Sequence, residues 1–373
     1  DFNVYPQQGA DWSSFGLALV EELRARAPLL AHKSISSIYF GGGTPSLAPL
    51  GLLEEALTTI RQEYDVEKNP EITLEIDPGT ASQEKCRSFL QLGINRVSLG
   101  WQSMRANHLK VLGRSHMPED NEHTLVSLRK LGFDNISCDL IFALPQQSPV
   151  EVQEDLDRLL EFNPEHISLY ALTYHEGTPF HRWKNAGRLK PCSEEIELLM
   201  MREIKSKLEN NAYEHYEVSN YGRNGFRSVH NQHYWHGRSY LGVGPGAESF
   251  LKQDKFSGAR WQAIKEPSSY IHAWTEVQVD SSYPSTKDIS LNWFEELGPR
   301  ELWNEKILSG VRLREEFDVG EFATFLDKEK FSQAHAQASA LGWIKQGPNR
   351  FCVSELGREQ ADTLAELFID LVP

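Results

Sequence analysis

Two constellations in this chain of 373 residues carry residue types that can do chemistry. The first is Ser37-Ile38-Tyr39-Phe40-Gly41-Gly42-Gly43-Thr44-Pro45-Ser46, where alternating apolar residues run into three glycines and a Thr-Pro. That order reads as a buried strand ending in a loop of bare backbone, open to close approach by a small ligand. No Lys follows the glycines, so the loop is not a Walker phosphate cradle. Nor are the glycines spaced as in a dinucleotide fingerprint, and both ATP and NAD are disfavoured as ligands. The second constellation is His230, His233 and His236, with Asn231, Tyr234 and Trp235 between them. Helical spacing would set His230 and His233, or His233 and His236, on one face. A zinc site there lacks a nearby Cys or an acidic ligand, and plain packing is the competing reading.

The elements that position these residues follow from periodicity. Apolar helical stripes at 13–30, 50–63, 82–92, 119–131 and 149–161 alternate with short strands at 36–40, 71–76, 96–100, 135–141 and 166–170. Strands linked by crossovers of that length should be parallel, as in a barrel or a doubly wound sheet. In either architecture ligands gather at the C-terminal strand ends. Polar residues recur there: Gly41 to Thr44, Glu75 with Asp77, Gln102, Asp139 and Thr173. Such recurrence on one face favours a barrel, full or partial, over isolated helix caps. Beyond residue 195 the rhythm changes to a helix at 194–210, a strand at 213–218 and a Gly-, His- and aromatic-rich segment at 220–249. Helices are expected near 293–308, 319–326, 330–340 and 355–370. The short strands at 343–345 and 351–353 then suggest a small winged-helix unit. The expected division is a barrel with its extension at 1–250, a connecting segment at 251–289 and a mostly helical accessory domain at 290–373.

Composition narrows the function classes. Lys plus Arg total 38 against 53 for Asp plus Glu, a formal charge of -15, and no basic run supplies a nucleic-acid footprint. No stretch approaches the roughly 18 apolar residues of a membrane span, and the start is too polar for a secretory signal. Cys86, Cys138, Cys192 and Cys352 lie far apart and form neither a disulfide framework nor a CxxC metal pattern. A reducing, cytoplasmic setting is therefore expected.

The ordered set Phe40-Gly41-Gly42-Gly43-Thr44-Pro45-Ser46, Leu74-Glu75-Ile76-Asp77-Pro78-Gly79, Asn95-Arg96-Val97-Ser98-Leu99-Gly100-Trp101-Gln102-Ser103, Leu112-Gly113-Arg114 and Asp139-Leu140-Ile141-Phe142-Ala143-Leu144-Pro145 resembles a known family. It is similar to the radical S-adenosylmethionine proteins of the oxygen-independent coproporphyrinogen oxidase group. Similarity continues through Tyr216-Glu217-Val218-Ser219 to the C-terminal region. His230-Asn231-Gln232-His233-Tyr234-Trp235 fits the HNxxYW signature of the haem-chaperone, HemW-like branch, as does Tyr240-Leu241-Gly242-Val243-Gly244-Pro245-Gly246-Ala247. The resemblance implies an α/β partial (β/α)6 barrel that binds S-adenosylmethionine and a [4Fe-4S] cluster, with a C-terminal accessory domain. By resemblance, Gly41, Gly42, Gly43 and Thr44 meet the methionine end of the cofactor, and Glu75 its ammonium group. Arg114 would take a carboxylate, Gln102 and Asp139 hydroxyls, and Thr173 is the further strand-end contact. Haem would be held by His230, Asn231, Tyr234 and Trp235, and passed to an acceptor protein; a homodimer is left open. The alternatives are a porphyrinogen-oxidising enzyme or a cluster-less haem binder.

The departure from the family is its CxxxCxxC cluster motif, which these residues lack. Its third Cys is typically followed by Asp-Phe, and this chain starts Asp1-Phe2-Asn3. The resemblance thus places the cluster cysteines upstream of Asp1, with natural loss of the cluster as the alternative.

Overall fold

The structure, a computed structural model, describes residues 5, 11–276, 283–345, 347 and 350–373. The Asp1-Phe2-Asn3 start lies outside the described residues. In chain order come α1 (Trp12–Arg26), β1 (Ile35–Phe40), α2 (Leu50–Glu63), β2 (Val66–Ile76), α3 (Gln83–Leu92), β3 (Arg96–Gln102), α4 (Ala106–Val111), α5 (Pro118–Leu131), β4 (Ile136–Phe142), α6 (Pro149–Leu160) and β5 (His166–Ala171). There follow α7 (Pro179–Asn185), α8 (Glu194–Asn210), β6 (Glu214–His215), β7 (Asn220–Gly222), α9 (Val229–Trp235), β8 (Glu248–Lys252), β9 (Gly258–Ala263) and α10 (Pro267–Thr275). The chain closes with β10 (Leu291–Leu297), α11 (Pro299–Gly310), β11 (Phe317–Asp318), α12 (Lys328–Ala340), β12 (Arg350–Phe351), α13 (Glu355–Glu359) and α14 (Ala361–Glu366).

Local signals set many of these boundaries. The Ser82 hydroxyl caps α3 by accepting from Lys85 N, and Gly93 ends it at φ 94°, where a side chain would be strained. Ser148 and Glu151 close a reciprocal capping box at the start of α6. On β3, Val97, Leu99 and Trp101 are fully buried in the large apolar core shared with the outer helices. Arg96, Ser98, Gly100 and Gln102 therefore point the other way, into the concave side.

The main sheet has seven strands in the order β1-β2-β3-β4-β5-β7-β6. Strands β1 to β5 are parallel, with Phe40 opposite Leu74, Ile76 opposite Leu99, and Phe142 opposite Ala171. β7 is antiparallel to β5, and β6 to β7. Each parallel strand lies beside the next in sequence, so the order never reverses and there is no switch-point crevice. The sheet instead curls into a half-barrel, which resolves the choice left by the sequence. A second, antiparallel sheet, β8-β9-β10, shares Phe250 and Leu297 with the C-terminal helical core around Trp303.

Several expected elements differ. The strand expected at 213–218 is only Glu214–His215. Past it, the Glu217 carboxylate folds back to accept from Ser219 N at 3.0 Å, turning the chain into β7. The helix expected from 293 starts at Pro299, because 291–297 pairs with β9 as a strand. The helix expected at 319–326 is a single 3-10 turn, Gly320–Phe322. That expected at 355–370 breaks at Gln360 into α13 and α14. Of the strands expected at 343–345 and 351–353, Ile344 and Val353 meet in one bridge, while the ladder that forms joins β12 to β11.

Candidate functional site

Strand parity turns one set of side chains inward: Ser37 and Tyr39 on β1, Glu71 and Glu75 on β2, Arg96, Ser98 and Gln102 on β3, Ser137 and Asp139 on β4, and His166, Ser168 and Tyr170 on β5. A cavity of about 1790 Å³ opens over their C-terminal ends. Gly42, Gly43, Thr44, Glu75, Gln102, Arg114, Asp139 and Thr173 all line it. Gly41 stands behind that wall, where an added Cβ would meet Tyr39 Cε1 at 2.4 Å.

The contacts within this wall are specific. Glu75 accepts from Tyr39 Oη at 2.7 Å and from the Gly42 amide at 3.1 Å. Burial pushes its carboxyl up to about 7, the neighbouring Asp139 adding to the effect and the Tyr39 and Gly42 donors opposing it. Thr44 Oγ1 donates to Asp77 at 2.9 Å, and Arg114 reaches the other Asp77 oxygen at 3.4 Å. Gln102 is buried at φ 62°, a strained setting for a non-glycine residue, beside Gly100, whose Cβ would stand 2.8 Å from Asp77 Oδ1. Asp139 accepts from Ser98 at 2.8 Å and Ser137 at 3.3 Å, while burial holds its carboxyl above the usual range. Thr173 sits at the exposed rim, bonded to Ala171 O at 3.3 Å.

The histidine segment forms α9 and packs against β1. Only Asn231 of its expected ligands lines the cavity. His230 turns to the strand: Nδ1 lies 3.1 Å from Ser37 Oγ, Nε2 lies 2.8 Å from Tyr234 Oη, and the ring stacks on Tyr39 at 4.8 Å. Burial lowers its pKa to about 4, so the imidazole is neutral at physiological pH. Tyr234 is more than a third exposed and meets Tyr240 edge-on at 4.6 Å, while Trp235, half-buried, ends the helix. His233 bonds Ser36 at 2.7 Å and His236 bonds Glu315, so the three histidines do not converge.

Sequence reasoning missed Tyr39 and Arg96 and did not carry Asp77 into the site. Arg96 is fully buried and lines the cavity; its Nε makes no hydrogen bond and is ion-paired to Glu71 at 3.9 Å. Parity puts Tyr39 and Arg96 on the strand face of Gly41 and Gln102, but does not say that this face is the interior.

This donor set suits a zwitterion bearing hydroxyls: carboxylates for an ammonium group, a guanidinium for a carboxylate, and polar side chains for a sugar. A cluster is another matter. Among the described residues no group of three His, Cys, Asp or Glu could hold a metal ion, and Cys86 and Cys138 are buried. The cluster ligands are not among them. No helix of the described residues is long and apolar enough to cross a membrane.

Comparison with known proteins agrees with this architecture. The radical SAM superfamily model matches residues 8–159. The solved coproporphyrinogen III oxidase HemN from Escherichia coli, a radical SAM enzyme, superposes with a TM-score of 0.80 at 19% identity, covering 99% of this chain and 86% of that one. Half-barrel and glycine loop thus define a radical SAM domain. Haem chaperone HemW from Lactococcus lactis is 34% identical over 288 residues, covering 77% of this chain and 74% of the relative. The mitochondrial radical S-adenosyl methionine domain-containing protein 1 of Danio rerio is 32% identical over 351 residues, covering 93% and 77%. The chain belongs to the HemW-like family of radical SAM proteins.

Proposed function

We propose that this protein is a haem chaperone that binds S-adenosylmethionine in the half-barrel cavity, holds haem through α9 and passes it to an acceptor protein. One observation carries the reading: the HNxxYW helix sits on β1, the strand that leads into the glycine loop, with His230 against Ser37 and Asn231 facing the cavity. The haem-chaperone names of the relatives point the same way.

The roles follow from the side chains. The Gly42 and Gly43 backbone, with Glu75, would seat the methionine ammonium group, Arg114 its carboxylate, and Gln102 and Asp139 the ribose hydroxyls. S-adenosylmethionine supplies a sulfonium whose positive charge the surrounding carboxylates would balance. Haem supplies an iron that takes an imidazole. His230 is neutral and keeps a lone pair, so it would hold the haem iron through a ring nitrogen, with Tyr234 beside it. The superfamily's [4Fe-4S] cluster has no ligand set among the described residues.

Haem titration tests the reading. Wild type is expected to develop a shifted Soret band that saturates at stoichiometric haem, and His230→Ala to lose that shift and bind at least about tenfold more weakly. Equal spectra and affinities would remove His230 as the ligand.

A further inference from the structure

α9 is tied to the cavity wall by more than packing. Its first turn is held by Glu71, which accepts from Val229 N at 3.1 Å and His230 N at 2.9 Å, with Arg96 beside it. Its cap, Ser228, donates its amide to Tyr216 Oη at 3.2 Å. Tyr216 bonds His166 Nε2 at 2.7 Å, His166 Nδ1 bonds Ser137 Oγ at 2.8 Å, and Ser137 bonds Asp139 at 3.3 Å. The two ends fix the polarity of this chain. A backbone amide can only donate and a carboxylate accepts, so Tyr216 gives its proton to His166 Nε2 and Nδ1–H donates to Ser137. All the members between Ser228 and Ser137 are buried.

A shorter link reaches the histidine itself. Tyr39 donates to Glu75 at one end of its ring, at 2.7 Å, and its face carries the His230 imidazole at 4.8 Å and 22°. Glu75 is the carboxylate that also fixes the Gly42 amide of the cavity loop. Ser37 holds His230 Nδ1, so ring plane and ring rotation are both set from β1. This is the arrangement by which outer-shell groups orient a metal-ligating histidine.

We propose that Tyr39 is a positioning residue: it fixes the His230 imidazole for haem and transmits to it the charge carried at Glu75, hence the presence of a cation seated there. The proposal rests on the haem-chaperone reading above. Besides Tyr39, the charged or titratable groups facing His230 are Glu71 on β2, Arg96 on β3, and His233 and Tyr234 on α9. None of these joins it to Glu75.

The test uses the full chain labelled with nitrogen-15 in its histidines. Burial lifts the Glu75 carboxyl to about 7 and holds the His230 imidazole well below its usual range. In wild type the His230 ring signals should therefore show a second step near pH 7 while the ring stays neutral. Glu75→Gln should abolish that step. Tyr39→Phe, which keeps the stack and removes only the hydroxyl, should lose most of its amplitude. Haem affinity should fall roughly tenfold in Tyr39→Phe and to a similar extent in Glu75→Gln, the scale usual for outer-shell partners of a metal ligand. The double variant should fall no further than either single one. A full-amplitude step in Tyr39→Phe, no step in wild type, or additive losses in the double variant would overturn the role of Tyr39. If His230→Ala binds haem as wild type does, the haem reading fails. The titration step then still decides whether Tyr39 couples the two residues.

Discussion

Replacing Gly41 by alanine probes how closely the glycine loop is fitted to the strand behind it. The new Cβ would stand 2.4 Å from Tyr39 Cε1, 2.8 Å from Glu75 Oε1 and 3.0 Å from Glu75 Cδ. Relaxed carbon contacts begin at about 3.5 Å, so the tyrosine ring must retreat by roughly 1 Å. Neither neighbour is free to give: the Tyr39 hydroxyl is bonded to Glu75 at 2.7 Å, and the ring lies against His230. Overpacking of this kind costs about 1–3 kcal/mol. A shift that large also strips Glu75 of a donor, worth roughly 1–3 kcal/mol more in a buried setting. The two overlap in part, and the expected loss is about 2–4 kcal/mol. Denaturant unfolding should report it, with native-state hydrogen exchange on the β1–β2 ladder, because a chain with more than one core need not unfold in one step. A double-mutant cycle isolates the cause. On a Tyr39→Leu background, which lacks the clashing atom, Gly41→Ala should cost at least about 1 kcal/mol less than on wild type. A loss below about 0.5 kcal/mol, within the range of an inert surface change, or an equal loss on both backgrounds, would refute the reasoning.

Two further outcomes follow from buried groups. Tyr216→Phe removes the hydroxyl that takes the Ser228 amide and bonds His166 Nε2, leaving both unpaired inside the protein. The expected cost is about 2–4 kcal/mol, with faster exchange of the α9 amides while the β2–β3 ladder is unaffected. Uniform acceleration across both would show that the chain does not anchor α9 in particular. Burial also pushes the Glu22 carboxyl up to about 7 from an unfolded value of 4.5. Its folded form binds the proton more tightly, so its contribution to stability is complete below about pH 4.5 and is lost as pH rises through about 7. Wild type should therefore lose on the order of 2–3 kcal/mol relative to Glu22→Gln across that interval, read from denaturation midpoints at several pH values. A difference that does not vary with pH would contradict the burial of an acid at Tyr270 and Gly244.

What could be read from residues alone divides along the range of the forces involved. α3, α6 and α8 fall where their stripes and caps place them, because an N-cap serine or a left-handed glycine acts within one turn; α2 follows its apolar stripe without a side-chain cap. The helix expected at 293–308 begins only at Pro299, and 291–297 is a strand. It forms β10 because β9 offers a ladder, with the register shifted between Leu291 and Trp293, and no local signal announces that partner. In the site, the strand-end residues were legible because polar residues recur at the C-terminal ends of successive parallel strands, where ligands gather. Tyr39, Arg96 and His166 were not, since a polar residue alternating with apolar ones is the ordinary signature of a strand with one face in water. Only curling of the sheet shows that here the polar face is the interior. α9 is further still from any local pattern: its histidine meets Ser37 across 193 residues of sequence. The concave face of this half-barrel is therefore polar from the Ser37–Glu71–Arg96 level up to Glu75 and Asp139. A concave polar face with a guanidinium Nε that makes no hydrogen bond and two carboxyls held above their normal range is unfavourable when empty.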